Sequence, residues 1–155
     1  MLIKHVILLT ILAFVAPIAC TVERGQDQED VDPASAQIQS ATDLDIYLRN
    51  TPHSPLDRLS TTAKQRFLES LVFTDNGLGS YRFSDLEAEL SPTELYQILS
   101  LFGVERTTPL LTGSRILSDS DRVLMLRKEE DHKGYKCAGP GWCSSDLNSI
   151  CTSNC

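Results

Sequence analysis

Catalytic signatures are scarce in this chain. Its three histidines, His5, His53 and His132, fall in an opening apolar run, a proline-rich turn and a charged hinge. There is no Gly-x-Ser-x-Gly elbow, no His-Glu-x-x-His pair and no phosphate loop, so the usual hydrolase, metalloprotease and nucleotide-dependent designs have no foothold. Asp85, Glu87 and Glu89 are the nearest approach to an acid–base carboxylate set, but they crowd onto a short polar element where a solvated face is expected. "SDSD" at 118–121 lacks the glycine and closing glutamate of a calcium loop and reads better as a helix cap. The expectation is a protein that is not an enzyme and uses no cofactor.

Positive charge is also short. Against 21 Asp and Glu stand 14 Lys and Arg, a net charge of −7. The imbalance lies before residue 133. All the acids but Asp146 fall there, while Lys133 and Lys136 give the last stretch a slight positive excess. Phosphate contacts need a basic surface, so no nucleic-acid partner is expected. Aromatic residues are few, and Phe67, Phe73, Tyr81, Phe83 and Phe102 sit beside leucines at helical spacing, which points to ordinary core and not a ligand cage.

Long apolar runs are missing as well. The longest, Val6 to Val15, falls short of the roughly 20 residues that span a bilayer. Lys4 precedes it and the small-residue exit "APIAC" follows, which is the build of an export signal over residues 1–20. "PIAC" resembles the box that ends a bacterial lipoprotein signal, making Cys20 a candidate for lipidation, with export machinery and signal peptidase as implied partners. The alternative is that Cys20 is merely the last residue of a discarded signal. Residues 21–41, opening "TVERGQDQEDVDPASAQIQ", are acidic and poor in large apolar groups, and are expected to be a flexible linker.

Sustained alternation of the kind that marks a half-buried strand is absent, and no repeat occurs. Helical spacing is what remains. "TDLDIYLRN" puts Leu44, Tyr47 and Leu48 on one face, with Thr42 or Asp43 as cap. In "LDRLSTTAKQRFLESLVF", Leu59, Ala63, Phe67 and Leu71 recur at steps of four beside Leu68 and Val72, with Ser60 as cap; the glycines of "TDNGLGS" then supply a stop. "SPTELYQILSLFG" combines cap Ser91, Pro92 at the first helical position and Glu94 in a capping box, with Gly103 at the end. "VERTTPLLTGSRIL" reads as a connection containing a short extended piece, and "SDSDRVLMLRKEED" as a last helix with Val123, Leu124 and Leu126 apolar. The fold class expected is all-α: a small helical domain over 42–131, then a cysteine-rich segment over 132–155.

That segment holds four of the five cysteines, Cys137, Cys143, Cys151 and Cys155. An even number of thiols in an exported chain predicts two disulfides, and three connectivities are open. Zinc is not expected, because structural zinc sites bring their ligands in close pairs and only Cys151 and Cys155 approach that spacing. Gly139, Pro140 and Gly141 make a tight turn beside Trp142. About 20 residues build no core of their own, so the cross-links would hold this stretch, at roughly 2–4 kcal/mol each.

The layout resembles the bacteriocin fulvocin C-related proteins, a family with a signal, a helical middle and a cysteine-rich end similar to a secreted antimicrobial peptide. "PLDRLSTTAKQRFLESLVF" and "LSPTELYQILSLFG" carry the resemblance, with the four tail cysteines as disulfide partners. It implies an exported or lipoprotein-like precursor whose C-terminal peptide acts on a target-cell membrane or receptor; the basic hinge "RKEEDHKGYK", with Arg127–Lys128, Lys133 and Lys136 beside glycine, is the expected release site. The rival expectation is a lipoprotein anchored to the cell envelope, whose helical domain binds a partner while the disulfides are purely structural.

Overall fold

The computed structural model describes residues 36–127 and 131–155. The expected signal peptide, Cys20 and most of the expected linker lie outside them. Among the described residues there are five α-helices: α1 (Ala41–Asn50), α2 (Thr61–Glu69), α3 (Ser84–Glu89), α4 (Pro92–Ser100) and α5 (Asp119–Leu124). Four strands join them: β1 (Val72–Thr74), β2 (Gly77–Arg82), β3 (His132–Gly139) and β4 (Trp142–Cys151). The strands form one antiparallel sheet in the order β1-β2-β4-β3. The all-α expectation is therefore overturned: this is a mixed fold of helices and an antiparallel sheet.

Local chemistry explains the helices. Ser40, and not the expected Thr42 or Asp43, caps α1 and accepts from the Asp43 N–H, and Ser60 accepts from Ala63 N–H at the start of α2. Ser91 with Glu94 and Ser118 with Asp121 complete capping boxes at α4 and α5, each satisfying backbone donors that a helix start leaves orphaned. A 3-10 segment, Glu105–Leu110, fills the stretch read as a connection with an extended piece.

The strands were hidden for identifiable reasons. The helical stripe through Val72 stops at Glu69; the chain turns at Ser70, and Val72 already pairs with Ser80 on β2. The glycines expected to supply a stop open a strand instead. Gly77, with φ of 110°, turns the β1–β2 hairpin, where an L side chain would be strained. All of Gly77–Tyr81 is buried. Successive strand residues face opposite ways, so burial of every one means that β2 is covered on both faces and shows no alternation to read.

One core unites the elements. Phe67 meets Tyr81 and Phe102 edge-on, at centroid distances of 6.1 and 5.9 Å. Leu95, Ile98 and Leu99 of α4 join them, as do Leu78 of β2 and Ile150 of β4. The aromatic residues thus serve as core, as their leucine neighbours suggested. Tyr81 is fully buried, which pushes its hydroxyl pKa up, and that hydroxyl bonds the Thr107 hydroxyl. Ile38, placed within the expected linker, is fully buried too, and its N–H donates to the Leu101 carbonyl at 2.9 Å.

Candidate functional site

The cysteine-rich end is built into the sheet. Residues 149–151 of β4 pair with Ser80, Tyr81 and Arg82 of β2, and Ile150 enters the core. Thr152 continues the contact, its N–H donating to the Gly79 carbonyl at 2.9 Å and its hydroxyl to the Leu78 carbonyl at 2.6 Å. Asp131, buried at the start of the segment, accepts from Arg106 Nε at 3.0 Å and from the Ser153 N–H at 2.5 Å. Lys133 Nζ donates to Glu87 Oε1 at 2.9 Å and to the Leu110 carbonyl at 2.8 Å, and lies 4.4 Å from the Phe83 ring centroid.

The β3–β4 hairpin is folded over on itself. Between Lys133 and Tyr135 β3 advances two residues, while the partners on β4 run five residues, from Ile150 to Ser145. Three surplus residues on β4 make a large bulge, and bulges bend the strand that carries them. Opposite the bulge Gly134 takes φ of 89°, in the region open to glycine. The fold-over is plain in one distance. Eight residues of extended strand span about 26 Å, yet the Cα atoms of Cys143 and Cys151 are 6.2 Å apart.

Both disulfides hold this doubled arrangement. Cys143 pairs with Cys151, tying the outer half of the hairpin to the inner half, and Cys137 pairs with Cys155, tying the outer half to the C-terminus. Of the three connectivities left open, this one spans the fold at both levels. Gly79 makes room for it: a Cβ there would sit 2.8 Å from Thr74 Cγ2 and 3.2 Å from Cys137 Sγ. The Gly141 N–H donates to the Cys155 carbonyl at 2.7 Å, so the turn also touches the chain end. The Sγ atoms of Cys143, Cys151 and Cys155 lie within 4.8 Å of one another.

The hairpin exposes three large apolar side chains among polar ones. Trp142 is 68% and Leu147 81% exposed, and Tyr135 of β3 is exposed too, with Lys136, Ser144 and Asn148 also at the surface, whereas Ile150 and Cys151 further along β4 are wholly buried. The other sequence candidates have structural duties. Asp85 forms an ion pair with Arg66, which holds its carboxyl below the usual range. Glu87 pairs with Lys133 and accepts from the Gly113 N–H, and Glu89 accepts from the Ser60 N–H and hydroxyl. These three carboxylates are half-buried and bonded, not a solvated face. Within "SDSD", Asp121 caps α5 and accepts from the Thr93 N–H and hydroxyl at the start of α4. His53 and His132 are both exposed.

Compared with family models, curated proteins and solved structures, the chain finds no match. None of the comparisons bears on the fulvocin C-related resemblance. The two disulfides are compatible with an extracellular protein, and no helix among the described residues is long and apolar enough to cross a membrane.

Proposed function

We propose that the protein is an exported interaction protein, secreted or anchored through Cys20, that works with its cysteine-rich end attached. The folded hairpin presents Trp142 to a target-cell membrane or receptor, and the role is binding rather than catalysis. One observation carries this reading: a strand that exposes Trp142 at one end is clamped by its other end in the sheet of the body. Holding an apolar group in place beside two bridges reduces the ordering cost of binding. The same geometry weighs against release of a bacteriocin-like peptide, because cutting the hinge would leave Ile150 and β4 to be pulled out of the core.

The test compares three oxidised samples for binding to target cells: the intact protein, its Trp142→Ser variant, and synthetic peptide 134–155. The reading expects binding by the intact protein, loss of most of it in the variant, and little by the peptide. A peptide that acts as well as the whole, and is found free in culture fluid, would restore the release reading.

A further inference from the structure

The sulfur cluster has a chemistry of its own. We propose that the two bridges form a thiol–disulfide exchange site, in which a thiolate released at Cys155 attacks the Cys143–Cys151 bond. The three sulfurs concerned lie within 4.8 Å of one another, although they belong to two different bridges. Exchange proceeds by attack of a thiolate on a disulfide sulfur, so a neighbouring bridge at this range is a ready acceptor.

The surroundings keep Cys155 in place when its own bridge opens. Its N–H donates to the Thr152 carbonyl at 3.0 Å and its carbonyl accepts from the Gly141 N–H, while Thr152 is fixed on β2. Its sulfur lies 3.2 Å from the Gly139 carbonyl and 3.3 Å from the Trp142 carbonyl, either of which can accept a hydrogen bond from a Cys155 thiol and so hold the freed side chain in place. Each bridge joins a half-buried sulfur, Cys155 or Cys143, to a buried one, Cys137 or Cys151, so a thiol that frees Cys155 must enter against the buried Cys137.

The steps balance without an oxidant. A small thiol attacks Cys137 Sγ, forms a mixed disulfide there and expels Cys155 as thiolate. Cys155 then attacks Cys143 Sγ; the new Cys143–Cys155 bond forms, and Cys151 leaves with the electron pair and takes up the proton the thiol gave. Attack on Cys151 instead yields Cys151–Cys155 and frees Cys143. The first product keeps the hairpin tip tied to the chain end. The second unties it, so Trp142 is displayed on a lock that thiols can shift.

The experiment uses the full chain with Cys137→Ala, which leaves Cys155 free beside the inner bridge and needs no added reductant. Free thiol is alkylated after acid quench and located by mass spectrometry. The label should divide among Cys155, Cys143 and Cys151, with exchange faster as pH rises toward the ordinary thiol pKa of about 8.5. Label on Cys155 alone at every pH, with Cys143–Cys151 intact, overturns the proposal. If that variant does not fold, the wild-type protein is treated with limiting dithiothreitol. Partially reduced molecules bearing Cys143–Cys155 or Cys151–Cys155 bridges support exchange, and molecules bearing native bridges only refute it.

Discussion

Removing the lock tests whether the cysteine-rich end belongs to the domain. The two bridges close loops of sequence separation 18 and 8. Loop-closure entropy assigns about 3 kcal/mol to the outer bridge and about 2.5 kcal/mol to the inner. The inner loop lies within the outer and shortens it, so the pair together contributes about 5 kcal/mol. With all four cysteines changed to alanine, that much stability should be lost. In urea, where small domains lose about 1–3 kcal/mol per molar, the midpoint should fall by several molar or the domain should not fold at all. Two signals are followed in one titration: far-ultraviolet circular dichroism, dominated by the helices, and Trp142 emission, which reports the hairpin. Because Ile150 and Thr152 tie the hairpin to β2, both should shift together. A helical signal that keeps its wild-type midpoint while Trp142 alone loses its transition would refute the reasoning.

Further tests follow from single contacts. Burial raises the Asp121 carboxyl pKa, but bonds from Thr93, Leu117 and Ser118 outweigh that and bring it from 3.8 down to about 2. Since the folded value lies below the unfolded one, its contribution, about 2 kcal/mol, is present above pH 3.8 and lost as pH falls toward 2. Asp121→Asn should flatten that part of the acid-unfolding curve, measured by circular dichroism. Ile150→Ala should cost about 2–5 kcal/mol in urea titrations, as for other buried isoleucines, although the residue lies in the cysteine-rich segment. Gly79→Ala should destabilise by about 1–3 kcal/mol and slow formation of Cys137–Cys155 in oxidative refolding, because its methyl group meets Thr74 and Cys137 Sγ.

The helices were legible because their signals are local. Ser91, Pro92 and Glu94 mark the start of α4 within four residues, and Ser118 with Asp121 marks α5. The strands depend on distant partners. Nothing in "GLGSYR" says strand until the folded hairpin covers it, and Gly79 reads as punctuation until Cys137 is seen against it. In β4, "SSDLNSI" carries the bulge that breaks any period-two pattern before Ile150 enters the core. The candidate site divides in the same way. Two disulfides followed from cysteine count and context, but their pairing depends on a fold-over that no spacing encodes. The carboxylates Asp85, Glu87 and Glu89 looked solvated because their partners, Arg66, Lys133 and Ser60, come from other elements.

The most direct measurement is the intact mass of protein recovered from its native compartment, before and after reduction. The account predicts one species carrying both the helical body and the segment through Cys155, gaining the mass of four hydrogens when its two bridges are reduced. A body that ends near residue 130, or a mass that reduction leaves unchanged, would contradict it.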